Sequence, residues 1–129
     1  MRAYVGVTAE EVKDFLESGA LDVSDVYAVT GVFIAHNNEL DEEEIEYTLS
    51  LVAAEDALEL VTQTSGSACV LAFEVPDELI ESTHDMSITL RAPLAWKYLE
   101  CCFEVSEDGE ELTWYSTQEI ANNISRWIA

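Results

Sequence analysis

"DEEEIEYTLSLVAAEDALELV", Asp41 to Val61, opens with five acidic residues in six positions and then turns apolar. Asp41 is a good helix N-cap and Glu44 stands at N3, the two halves of a capping box, with Glu42, Glu43 and Glu44 filling the first turn. Carboxylates there meet the positive end of the helix dipole, worth about 0.3–1 kcal/mol each when exposed, less their mutual repulsion. Downstream, Ile45, Leu49, Val52, Ala53, Leu60 and Val61 share one face, and Tyr47, Leu51, Ala54 and Leu58 form a second stripe. A helix that is apolar on two sides is wedged between layers, which leaves Glu44, Thr48, Glu55 and Glu59 for the solvent. This segment sets the expected fold: a long helix laid on a sheet.

The flanking segments supply the sheet. "MRAYVGVT", Met1 to Thr8, alternates with Ala3, Val5 and Val7 on one face and Tyr4 and Gly6 on the other, as a strand does. Thr8 and Glu11 make another capping box, opening a short helix through Val12, Phe15 and Leu16 that Gly19 ends. "DVYAVT" predicts a strand over Val26–Thr30, and "GVFIAHNN", Gly31 to Asn38, fits a helical turn or more strand equally well. "QTSGSA", Gln63 to Ala68, reads as a loop. "ACVLAFEV", Ala68 to Val75, is apolar enough for the middle of the sheet, and Pro76 stops it.

"DELIESTHDM", Asp77 to Met86, is a polar connection with room for one helical turn, and "SITLRA", Ser87 to Ala92, alternates as a strand. Pro93 can open a helical turn through Trp96, after which Leu99, Cys101, Phe103 and Val105 alternate against Glu100, Cys102 and Glu104. A turn at Gly109 follows, and Ser116 with Glu119 caps a final helix carrying Ile120, Ile124 and Trp127 on one stripe. The expected fold is a single compact α/β (α+β) domain over residues 1–129. It has a mixed sheet of four or five strands, with the long helix and the C-terminal helix packed on it.

Composition narrows the function. Of 129 residues, 27 are acidic and 5 are Lys or Arg, a formal charge of -22, while 49% are apolar, so a core is affordable despite the charge. Such a field repels nucleic acid and anionic membranes and attracts cationic partners. No apolar run approaches a membrane span and the amino terminus lacks a signal-peptide core, so the expected location is the cytoplasm. Cys69, Cys101 and Cys102 read as reduced, buried small hydrophobes, since no Cys/His spacing suggests zinc and adjacent strand residues point to opposite faces.

The acidic run lacks the Gly and the alternating oxygen ligands of a calcium loop, and no helix carries a di-metal Glu-x-x-His. Neither a phosphate-binding glycine pattern nor a nucleophile elbow occurs. No metal, cofactor or catalytic residue is therefore expected. A dispersed enzyme site would have to gather His36, Tyr47 and Glu46 in space, and the other lone imidazole, His84, lies beside Asp85. Arg2 and Arg91 fall on predicted strands that could bring them together.

Several stretches together resemble a family of small actinobacterial proteins with no assigned function: "MRAYVGVT", "YAVTG", "DEEEIEYTLSLVAAEDALELV", "CVLAFEVPD" and "CCFEVSED". The resemblance runs from Met1 to about Asp108 and implies a cytoplasmic, single-domain α/β protein, with no active-site residue to carry over. The function expected from the residues is a non-enzymatic interaction or regulatory module. It meets a protein partner of basic surface through Asp41, Glu42, Glu43, Glu44, Glu46 and Tyr47, beside an exposed apolar patch near Trp96, Trp114 or Trp127. The alternatives are a DNA mimic that occupies the basic groove of a nucleic-acid-binding protein, and the dispersed enzyme. Adaptation to salt also fits the scarcity of Lys, though the preference for Glu over Asp and the cysteines speak against it.

Overall fold

In the computed structural model, which describes residues 1–62 and 66–129, no described helix is long and apolar enough to cross a membrane. The chain runs β1 (Arg2–Thr8), α1 (Ala9–Ser18), β2 (Ala20–Leu21), β3 (Asp25–Ala28), α2 (Gly31–His36), α3 (Glu42–Val61) and β4 (Ala68–Glu74). It continues through β5 (Ile80–Thr83), β6 (Ser87–Leu90), β7 (Leu94–Ala95), β8 (Leu99–Val105), β9 (Leu112–Ser116) and α4 (Ile120–Ile128). The loop expected at Gln63–Ala68 lies in part outside the described residues.

The capping boxes at Thr8, Asp41 and Ser116 all form; the first two open α1 and α3 directly, and the third opens a 3₁₀ turn, Thr117–Glu119, that leads into α4. The fold is α+β, as expected, but the sheet is larger. Seven strands lie in the order β5-β6-β3-β1-β4-β8-β9, every pairing antiparallel rather than mixed, and β2 with β7 makes a separate two-stranded ribbon. The five legible strands are β1, β3, β4, β6 and β8. Those added to the sheet, β5 and β9, are its edges, where half the side chains face water and the apolar alternation that betrays a strand is weak.

Two local readings change. Thr30 does not extend β3; its hydroxyl accepts from Phe33 N at 3.0 Å and donates to the Asp85 carbonyl, making it the N-cap that turns the ambiguous Gly31–Asn38 stretch into α2. Pro93 introduces the short β7 and a 3₁₀ turn at Trp96–Tyr98 rather than a helical turn through Trp96.

The sheet separates two cores. On one side α1 and α4 cover Ala3, Val7, Leu71, Phe73, Cys69 and Cys102; on the other α3 covers Tyr4, Val70, Ala72 and Cys101. Cys101 and Cys102 thus point to opposite faces, and all three thiols are free and buried. A bulge where β4 passes Ala72 and Phe73 breaks the expected alternation of β8, so Leu99 joins the α1 side while Cys101 and Val105 face α3.

What brings α3 down onto the sheet is the absence of side-chain bulk. Its buried residues include Ala53, Ala54 and Ala57, and Ala53 and Ala57 lie over Gly6 of β1. A Cβ at Gly6 would stand 2.2 Å from the Ala53 carbonyl oxygen and 2.8 Å from the Ala57 nitrogen. Only glycine allows this approach. Two phenols then pin the helix along its length: Tyr4 donates to Glu46 Oε1 at 3.3 Å and Tyr27 to Asp56 Oδ2 at 2.5 Å.

Candidate functional site

Helix α3 covers β1 and β4, and the sheet continues past it through β8 to β9. The register Cys101↔Ser116, Phe103↔Trp114 and Val105↔Leu112 places Cys101, Phe103, Leu112 and Trp114 on the α3 side of that extension. Between them and the helix runs an open groove of about 340 Å³. Its helical wall is Glu43, Glu46, Tyr47 and Ser50, the i, i+3, i+4, i+7 stripe of the first turns of α3. Tyr47 and Trp114 stand at its mouth, each 57% exposed.

The β8–β9 turn that aims Trp114 is tightly bonded. Ser106 Oγ donates to Asp108 Oδ1 at 2.7 Å, Glu110 N donates to the same oxygen at 2.9 Å, and Glu111 N donates to Ser106 Oγ at 2.9 Å. The Ser106 hydroxyl, with the Glu110 amide, holds the Asp108 carboxyl below its ordinary pKa. Gly109 completes the turn at φ 77°, a left-handed conformation that suits glycine.

At the floor, Arg2 Nε donates to Tyr4 Oη at 3.4 Å, Tyr4 passes a hydrogen bond to Glu46, and Arg2 Nε also lies 3.7 Å from Glu46 Oε1. Burial pushes the Tyr4 phenol up, against the pull of Arg2. Burial likewise raises the Cys101 thiol, again with Arg2 acting in the other direction. A thiol held protonated and 2% exposed is no nucleophile at neutral pH. What the groove offers a ligand is the aromatic side chains of Tyr47 and Trp114, the apolar Phe103 and Leu112, and the exposed carboxylate of Glu43, beside the Arg2–Glu46 pair. This chemistry suits a cation with an aliphatic stem.

The six expected contact residues divide by direction. Glu43, Glu46 and Tyr47 line the groove. Asp41 Oδ1 accepts from Glu44 N at 2.9 Å and Glu44 Oε1 accepts from Asp41 N at 3.1 Å, so this pair serves the helix end; Glu42 is exposed in the same first turn. Of the three tryptophans, Trp127 is buried, Trp96 is half-buried with its ring 4.8 Å from Phe15, and Trp114 is open.

The imidazoles do not join the groove. His36 Nδ1 lies 3.5 Å from Asp85 Oδ1, and His84 Nε2 lies 2.9 Å from Thr89 Oγ1. His36 is thus not among the residues of the groove with Tyr47 and Glu46, as the alternative of a dispersed enzyme site would require, and β3 lies between β1, which carries Arg2, and β6, which precedes Arg91. Among the described residues no group of three or more His, Cys, Asp or Glu is placed to hold a metal ion. A larger hollow, about 710 Å³, is lined in part by Glu104, Glu107 and Glu111, and Glu104 is already paired with Arg126 at 3.2 Å.

Tyr4, Phe103 and Leu112 escaped the sequence reading as site residues, and Arg2 entered it only as a possible neighbour of Arg91, because they meet only through pairings distant in the chain. The one local signal was "LTWYS" after the Gly109 turn, a β-prone run with Trp114 at its centre. Among known proteins, no curated protein and no solved structure matches the chain. A family model does match, over residues 1–108, a span that holds α3 and the Arg2, Tyr4 and Glu46 cluster and ends before Leu112 and Trp114. The chain belongs to that family, DUF6912, a family of unknown function.

Proposed function

We propose that this protein is a non-enzymatic interaction module of the cytoplasm that binds a basic segment of a protein partner in the groove between α3 and β9. The observation that supports this reading is that two exposed aromatic residues, Tyr47 and Trp114, line the same groove as Glu43 and Glu46. A Lys or Arg over an aromatic face gains about 0.5–1 kcal/mol at an exposed site and more when desolvated. An exposed ion pair adds up to about 1 kcal/mol. The net charge of -22 speeds the encounter and makes it sensitive to salt.

A DNA mimic needs its carboxylates free and in rows. Here Asp41 and Glu44 cap a helix, Glu46 and Asp56 accept from phenols, and Glu104 is held by Arg126. Carboxylates with such internal duties are not free to stand in a phosphate-like row.

The test is affinity capture from native cytoplasm at low and high salt with three baits. These are the wild type, Glu43→Gln with Trp114→Ala, and a charge control, Glu10→Gln with Asp14→Asn on the far side of the sheet. The expected result is a basic protein retained at low salt by wild type and charge control and lost with the groove variant. Equal loss from both variants would reduce the binding to bulk charge and end the proposal.

A further inference from the structure

The groove is bordered by an unpaired sheet edge. In an antiparallel ladder, residues alternate between those bonded to the neighbour and those whose N–H and C=O point the other way. Ser106 N donates to Glu111 O at 2.9 Å, so positions 111, 113 and 115 turn toward β8, and Leu112, Trp114 and Ser116 turn outward. Two observations agree. Ala9 N bonds to Ser67 O at 3.1 Å, which gives the same phase when carried across β4 and β8, and Ser116 N bonds outward to Glu119 Oε1 at 2.9 Å. Among the described residues no hydrogen bond reaches the outward N–H or C=O of Leu112 or Trp114.

Exposed edges are usually blunted. The opposite edge, β5, is: its register breaks between Ile80 and Ser82. Strand β9 keeps an unbroken register over five pairs, and its outward-bonding residue Trp114 is also the exposed ring of the groove. What guards it against a second copy is charge. Glu110 and Glu111 are exposed at its start on a chain of net charge -22. Like edges repel, and a cationic strand is drawn in.

We infer that the partner's basic segment binds as an added strand, pairing its backbone with Leu112 and Trp114 of β9 and laying a Lys or Arg side chain over the Trp114 indole toward Glu43. The added strand sits about 4.8 Å beyond β9, close enough for a long cationic side chain on the α3 face to cover the ring. Main-chain bonds supply affinity for an extended segment, and the alternate side chains supply selectivity. This inference rests on the groove reading above and specifies how the partner is held.

The experiment uses the intact protein and a short end-blocked peptide of alternating lysine and threonine, with a second peptide of the same sequence N-methylated at alternate residues to remove donors from one edge. Intrinsic tryptophan fluorescence, to which Trp114 contributes the exposed indole, follows occupancy, and amide exchange by NMR follows the edge. Strand addition is expected to slow exchange at Leu112 and Trp114 while leaving Thr113 unchanged, and methylation on the pairing edge is expected to weaken binding about tenfold. Equal binding of both peptides with no protection at Leu112 and Trp114 overturns strand addition and leaves the groove reading standing. A fluorescence change absent with both peptides, or retained in full by the Glu43→Gln variant, sinks the groove reading together with it. Edge-to-edge dimerisation of the protein alone, seen by sedimentation, would also overturn the inference, since β9 would then be occupied by its own copy.

Discussion

Replacing Gly6 by alanine puts a methyl group where α3 already is. Its carbon would lie 2.2 Å from Ala53 O and 2.8 Å from Ala57 N, both backbone atoms in the interior of a 20-residue helix. Neither can swing aside as a side-chain tip can, so the helix has to retreat by about 1 Å to restore ordinary contact. Overpacking of this kind costs about 1–3 kcal/mol, and a gap of that width forfeits about a quarter to a half of the dispersion along the seam. The expected loss is about 3–4 kcal/mol, a large share of a stability that for such domains is about 5–15 kcal/mol.

The sign makes the test sharp. In a strand with open space, Gly→Ala would stabilise by about 0.4–1 kcal/mol through the unfolded state. Urea denaturation followed by far-ultraviolet circular dichroism, with the m-value checked for constancy, measures the difference. Adding Ala57→Gly removes the 3.1 Å contact with the Ala57 Cβ but neither backbone clash, so rescue should be slight. A Gly6→Ala protein as stable as wild type would refute the close approach, and with it the geometry that sets the groove's helical wall.

Asp41→Ala removes the α3 cap and should cost about 1 kcal/mol in the same denaturation assay, yet leave capture of a basic partner unchanged, because Asp41 faces the helix end and not the groove. The hydrogen bond to Asp56 pushes the Tyr27 pKa up to about 12 from 10.0. A raised folded value means the contribution is complete below pH 10 and lost as pH climbs through 12. Tyr27 is only half-buried, so solvent screening discounts the bond's worth to about 1 kcal/mol. Tyr27→Phe should therefore destabilise by that amount at neutral pH and flatten the alkaline fall relative to wild type; parallel curves would show the bond to be idle. Raising sodium chloride should raise the melting temperature, since screening relieves self-repulsion at a net charge of -22; a melting point that falls or stays level would mean attractive pairs dominate.

Local chemistry was legible and non-local pairing was not. Three capping boxes, at Thr8, Asp41 and Ser116, stand where short-range hydrogen bonds put them, and such bonds depend on residues three apart. The interior strands showed because both of their faces are buried; β4, with six of seven residues buried, is the extreme case. At the edges this signal fades. Strand β5 reads Ile80-Glu81-Ser82-Thr83, with all but the first residue exposed, and its pairing partner rather than its composition makes it a strand. The bulge beside Ala72 is likewise a property of two strands together, and it moves Leu99 to the opposite face from the one its alternation suggested.

The same division runs through the acidic segment. Helical periodicity alone separates Asp41 and Glu44, which look back at the helix end, from Glu43, Glu46, Tyr47 and Ser50, which share a stripe. It cannot say what the stripe faces. That depends on Phe103 pairing with Trp114, and on Gly6 letting the helix settle low enough for Glu46 to reach Tyr4 at 3.3 Å. What borders the stripe is thus set by residues elsewhere in the chain. On the proposed reading, density of charge draws a basic segment to the region while two aromatic residues and an open strand edge decide where it stops, so capture of a partner should be sensitive to loss of Trp114 beyond anything a comparable loss of charge produces.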